Sequence, residues 1–283
     1  MSSTMLVVGP KLAVALVVLT LVAAVVVTVG KLGHGREVMV AAVRAAIQLG
    51  AVSLLITAIV SSLWATAAFV VLMCVVAAGT SGRRITGGGQ GWWAGAPIAA
   101  GSMLVVLGLL LAGLVPPRGI AIIPVAGILI GGAMTATSLA GRRALDELTS
   151  RRGEVEAGLA LGLLPRDAVL LVCRPAAGQA LVPALDQTRT VGLVTLPGAF
   201  VGVLLGGASP LAAGVTQLVV LVGLLAVEAV AVVLTVDLVA RGLLQRAGSG
   251  PQRLNAPGRW PGRSRRRRRR GRDPAPTGRG TLR

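Results

Sequence analysis

Uninterrupted apolar runs dominate the chain, and polar residues fall between them rather than alternating with them. Seven runs are long enough, at 1.5 Å of rise per residue, to cross a hydrocarbon core of about 30 Å. They lie near Leu12–Val29, Val38–Val60, Leu63–Thr80, Ala94–Val115, Ile120–Ala140, Thr190–Ala208 and Leu211–Val239. In lipid every backbone amide needs an internal partner, so each run predicts a helix, and its many valines and isoleucines do not argue for strands. The expected fold is therefore all-α, a polytopic membrane protein of about seven transmembrane helices.

Composition agrees. Of the 283 residues 54% are hydrophobic, and the mean hydropathy is +0.81. A soluble domain must wet its outer faces and cannot carry that much apolar surface. The first run has only Lys11 ahead of it and no small-x-small cleavage site after Val29, and six more runs follow. It reads as a true first helix rather than a signal peptide.

The charges predict an orientation. Lys31 with Arg36, Arg83 with Arg84, and the segment holding Arg142, Arg143, Arg151 and Arg152 alternate with the nearly bare loops Ser61–Ser62, Pro116–Gly119 and Gly206–Pro210. By the positive-inside rule the basic loops face the cytoplasm, with the N-terminus outside and the C-terminus inside the plasma membrane. The net charge is +18, and 14 of the 28 basic residues lie between Arg241 and Arg283. Residues 1–246 read as a transmembrane domain, with 141–189 as a cytoplasmic loop within it. Residues 247–283, rich in Arg, Pro and Gly, read as a disordered cytoplasmic tail. Tethered at a membrane and almost without aromatics, that tail suits anionic lipid headgroups better than a specific nucleic acid.

The chemistry-bearing groups are few. Cys74 and Cys173 are isolated, and His34 has no second ligand near it in sequence, so no metal-ligand spacing appears. Scattered methionines read as packing, which leaves any metal ligands unknown. Gly87-Gly88-Gly89-Gln90-Gly91 lacks the lysine of a phosphate-binding loop, so ATP hydrolysis is not expected on this chain. Inside the membrane, Arg44 and Gln48 share one face of the second run, where snorkelling and functional pairing are equally open. Glu228 lies deeper, and must pair, protonate or line a wet cavity; Arg44 and Gln48 are possible partners. Asp186 and Arg189 fit an i,i+3 pair that stabilises a helix start, with a gate or a contact with a partner subunit as the alternative. Gly198, Gly202 and Gly206, like Gly127 and Gly131, repeat every four residues and predict close helix packing.

The 141–189 loop carries Glu156-Ala157-Gly158, then Gly162, and Pro165-Arg166 further on. This pattern resembles the EAA loop of ATP-binding-cassette permeases, a short helix, a glycine break and a second helix. Val172, Cys173, Arg174 and Pro175 stand where that pattern has Ile-x-Leu-Pro, so Arg174 departs from it. More widely, the block from Pro183 through Asp186, Arg189, Thr190 and Gly192 to Pro197-Gly198 resembles the signature of the FetB-type iron-export permease family, which includes plant aluminium-tolerance transporters. Arg44 and Gln48, Pro124, Gly127, Gly131 and Met134, and Pro210 with Gln217 fit the same pattern. The likeness spans about Glu37 to Gly242. One departure is Gly131-Gly132, where the pattern has Gly-Asn.

The resemblance implies a non-catalytic permease that exports a metal ion such as iron, most simply as a homodimer. ATP and Mg would sit on a separate ATPase subunit. An ion-gradient-driven carrier coupled through Arg44 and Glu228, or a membrane scaffold that transports nothing, would be the alternatives.

Overall fold

In the computed structural model, which describes residues 9–88 and 91–246, the chain forms ten α-helices among the described residues. The expected disordered tail, 247–283, lies outside them. Helices α1 (Pro10–Val29) and α2 (Gly35–Val60) form a hairpin, followed by α3 (Leu63–Thr86). A 3₁₀ turn, Gly91–Ala94, leads into α4 (Gly95–Leu111), and α5 runs from Gly119 to Ser150. Then come α6 (Arg152–Ala160), α7 (Pro165–Gly178), a 3₁₀ turn Gln179–Leu181, α8 (Val182–Thr190), α9 (Gly198–Leu205) and α10 (Pro210–Ala240). Seven segments are long and apolar enough to cross a membrane, and the chain is an all-α, multi-pass membrane protein.

The core is a bundle in which α5 packs against α3, α4, α7 and α10. Alanine and glycine let these helices approach closely. Ala126, Ala133, Ala136, Ala140 and Ala144 of α5 are essentially inaccessible. A Cβ on Gly82 would collide with the backbone of Gly91, and one on Gly101 would lie 2.9 Å from the Val227 carbonyl oxygen. Hydroxyls seal the α3–α5 seam: the Ser81 Oγ donates to the Met134 carbonyl at 3.0 Å and lies 2.6 Å from the Ser138 Oγ.

The sixth expected span, Thr190–Ala208, does not form. That stretch is a turn followed by the eight-residue α9, because Gly192 and Pro197 break it. The membrane-length segment lies earlier, at Pro165–Thr190, where α7 and α8 form a helix interrupted by Gly178 and a 3₁₀ turn. Likewise 141–189 is no open loop: α5 continues to Ser150 and the rest is almost wholly helical. At 32 residues α5 is about 48 Å long, well beyond a bilayer core, so its polar end projects. Nor do Gly198 and Gly202 pack against another helix, since a Cβ on either would meet nothing within 4 Å.

Contacts fix which helix ends lie together. Gly141 meets Ile85, the Arg246 guanidinium donates to Asp146 at 2.8 Å, and that of Arg166 donates to Asp237. The C-terminal ends of α3, α5 and α10 therefore share one end of the bundle with the start of α7, collecting Arg83, Arg84, Arg142, Arg143, Arg151, Arg152, Arg166 and Arg241. At the opposite end Gly119 meets Val60.

Candidate functional site

Two features stand at opposite ends of the bundle, the first an elbow at the basic end. In α6, Val155 and Gly158 are buried while Glu156 and Ala157 face outward. Gly158 admits α7 closely, for a Cβ there would lie 3.3 Å from that of Ala168. The chain reverses at Gly162, whose φ of +90° L side chains rarely adopt. Pro165 then starts α7 where its missing N–H costs nothing. The expected helix, glycine break and helix are thus all present.

Charges brace the elbow. Glu156 accepts from the Arg152 Nε at 3.0 Å, and Arg151 bridges Glu147 and Glu154. The Arg151 guanidinium holds the Glu154 carboxyl below the usual carboxylate range. Arg166, early in α7, donates from Nε and Nη2 to the Asp237 Oδ1 at 2.9 and 2.6 Å, while Arg241 donates to the Oδ2 at 2.6 Å. One carboxylate thereby joins the elbow to α10. Between these charges the turn presents Leu161 (86% exposed), Leu163 and Leu164 outward. Sequence reasoning missed these leucines, although a run of apolar residues around the glycine of a charged segment was a usable signal.

The second feature is a cavity of about 910 Å³ between the N-terminal halves of α5 and α10 and the start of α9. Pro124, Gln187, Pro197, Gly198, Thr216 and Gln217 line it, and Leu224 is the lining residue furthest along α10. Buried Gln217 accepts the backbone N–H of Phe200 at 3.2 Å, tying α9 to α10. Pro210 starts α10. Of the 183–198 block, Gln187, Pro197 and Gly198 line the cavity. Pro183 lies in the first turn of α8, Asp186 pairs with Arg189 at 3.6 Å, and the Thr190 hydroxyl donates to the Asp186 carbonyl. Gly192, at φ +83°, donates its N–H to the Thr195 carbonyl at 2.9 Å, which folds the turn. Along α10, Gln217 and Asp237 are 20 residues apart, so cavity and elbow lie about 30 Å from each other.

Other expected residues are not gathered at either feature. Arg44 and Gln48 lie on an exposed face of α2, lining a shallow groove with Met39, Val43 and Ile47. Glu228 is buried on α10 where it faces Gly132 of α5, and it meets neither Arg44 nor Gln48; no described residue pairs with it. Gly127 packs on Met73, Gly131 faces open space, and Met134 contributes its carbonyl. Cys74 and Cys173 are free thiols, and among the described residues no three His, Cys, Asp or Glu side chains gather.

The chain is 35% identical to the rice "UPF0014 membrane protein STAR2" (Oryza sativa subsp. japonica), over 72% of this chain and 73% of that one. It is 40% identical to "Protein ALUMINUM SENSITIVE 3" of Arabidopsis thaliana over 53% of this chain and 55% of the other. Against the "Probable iron export permease protein FetB" of Escherichia coli (strain K12) it is 30% identical, over 51% and 56%. No solved structure matches. Residues 11–244 match the description "Uncharacterised protein family (UPF0014)", so elbow, cavity and bundle all fall within the match, and the chain belongs to the UPF0014 family of membrane proteins.

Proposed function

We propose that the chain is the membrane-spanning half of an ATP-driven exporter, working with a separate ATP-binding-cassette ATPase. The observation that carries this reading is the α6–α7 elbow. It is a short rigid helix-turn-helix with an exposed leucine tip, braced to α10 through Arg166 and Asp237. A leucine tip ringed by charges suits a groove on a soluble partner, where the apolar centre is buried and the charges form the rim. The strut through Asp237 would carry movement at the tip into the helix that walls the cavity.

In this reading the basic end faces the cytoplasm of a cell bounded by the plasma membrane, with the N-terminus outside. The ATPase holds ATP and Mg, and this chain holds neither. A cation is the cargo class, iron being the first to try because a relative is named for iron export. Two copies form the permease, and the exposed α2 face with Arg44 and Gln48 is the surface offered to the second copy. Anionic lipid at the basic end completes the list of partners.

Co-purification of the chain with the ATPase, followed by measurement of hydrolysis in lipid, tests the elbow. Glu156→Arg reverses the charge beside the tip and places it against Arg152. Loss of association or of stimulated hydrolysis supports the reading, and wild-type behaviour in this variant removes the elbow as the coupling element.

A further inference from the structure

The cavity of about 910 Å³ beside α9 is apolar from Ile120 and Val125 on α5 to Val220 and Leu224 on α10, and no charged side chain lines it. Its volume falls within the roughly 300–1,000 Å³ of ligand pockets, and an apolar cavity stays dry and takes apolar ligands. On α9 the lining residues Gly198, Ala199, Gly202 and Val203 form one face, and a Cβ on either glycine would meet nothing within 4 Å. Those two glycines therefore keep the cavity wide. One polar group in its wall is unspent. Gln217 is 5% exposed, and its Oε1 accepts the Phe200 N–H at 3.2 Å, which points the amide nitrogen away from that bond. No described residue accepts from the nitrogen, yet it is not sealed in packed protein. Gln217 stands between this cavity and a second of about 440 Å³, also without a charged lining residue, so the NH₂ group faces open space.

Depth says what fits. Asp237, bonded by Arg166 and Arg241, marks the polar boundary at the basic end. Gln217 lies 20 residues from it along α10, about 30 Å, which is one hydrocarbon thickness. Gln217 thus sits at the opposite boundary, the level of a phospholipid's ester carbonyls. Leu224 lies about 10 Å further into the hydrocarbon. We propose that the cavity is a binding site for a membrane phospholipid, whose ester carbonyl accepts from the Gln217 NH₂ and whose acyl chain lies along α10 to Leu224. The orphan donor gains its acceptor, as a polar group at membrane depth requires. The chain fills the wall that α9, only eight residues long, leaves open. The site goes beyond the permease reading and stands whether or not the elbow engages an ATPase.

The test uses the full chain in detergent micelles, with dioleoylphosphatidylcholine and its dialkyl ether analogue, which lacks the carbonyls, as probes. Native mass spectrometry counts the lipid retained. Wild type is expected to hold one ester lipid about 2–10-fold more tightly than the ether lipid, the worth of one hydrogen bond. Gly202→Leu, whose side chain grows into free space, is expected to lose that lipid while melting as wild type does. Equal retention of the two lipids by wild type, or retention by Gly202→Leu that matches wild type, overturns the proposal. Should Gly202→Leu fail to fold, wild type still decides. A phosphatidylcholine with a diazirine near its chain end is expected to crosslink to 120–128 and 216–224, and crosslinks no denser there than on α1 and α2 overturn the site. Association with the ATPase is scored separately with Glu156→Arg, so failure of the elbow and failure of the lipid site are told apart.

Discussion

The bond between Arg166 and Asp237 is where the account exposes itself to the simplest measurement. Arg166 makes two charge-assisted bonds to one carboxylate oxygen. Such bonds contribute about 1.5–3 kcal/mol when well shielded. The Arg166 side chain is 49% exposed and that of Asp237 22%, so water screens the pair and the fully shielded value does not apply. Removing Arg166 leaves Asp237 with Arg241, hence no unpaired buried charge. We expect a loss of about 1 kcal/mol in Arg166→Ala and a coupling energy of about 1 kcal/mol between Arg166→Ala and Asp237→Ala. Unfolding of the two single variants and the double variant in mixed micelles measures it. A coupling energy of about 0.3 kcal/mol or less, within the usual error of additivity, would refute the strut as a mechanical link. Stimulated ATP hydrolysis should fall in Arg166→Ala together with stability, since the same bond transmits the movement.

Further outcomes follow from other contacts. Gly82→Ala puts a methyl into the Gly91 backbone, which cannot retreat, and should destabilise by about 1–3 kcal/mol in the same assay, whereas Gly131→Ala, with open space around it, should not. Gln217→Leu strips the Phe200 N–H of its buried acceptor, costing about 1–3 kcal/mol, and Gln217→Glu, which keeps an acceptor oxygen, should recover most of it. Leu161→Glu with Leu164→Glu should abolish ATPase association while leaving the melting curve of the chain intact, because both side chains are exposed. Acid should loosen the elbow. The Glu154 carboxyl is depressed by its bond to Arg151, so its contribution is full above the ordinary carboxylate pKa and is lost as pH falls through the depressed value. Faster proteolysis of 151–164 at acid pH in wild type, and no such change in Glu154→Gln, is the expected signature.

Six of the seven spans were legible because each is a run of apolar residues, and lipid permits such a run only one structure. The other was not. Arg166, Asp167, Arg174, Asp186 and Arg189 make Pro165–Thr190 look like a surface loop, while Thr190–Ala208 is apolar enough to look like a span. The structure reverses this because α7 and α8 bury only one side, with Ala168, Val169, Val172, Cys173 and Ala177 of α7 and Ala184 of α8 inaccessible. The most apolar 18-residue window of Pro165–Thr190 still has a mean hydropathy of 1.5, the lowest of the seven, so the signal was weak beside the stronger apolar run that follows it. The elbow was legible from Glu156, Gly162 and Pro165, since a glycine followed by a helix-starting proline is a local instruction. The apposition of Gly132 and Glu228 was not, for nothing local links residues on different helices. Arg44 was a natural partner to suggest for Glu228, and only the packing separates them.

The most direct test of the central claim is flux of radioactive iron in proteoliposomes holding the chain with or without the ATPase, and with or without ATP. Transport is expected only when chain, ATPase and hydrolysable ATP are all present, and none when Glu156→Arg replaces wild type. Transport by the chain alone, driven by an imposed ion gradient, would contradict it.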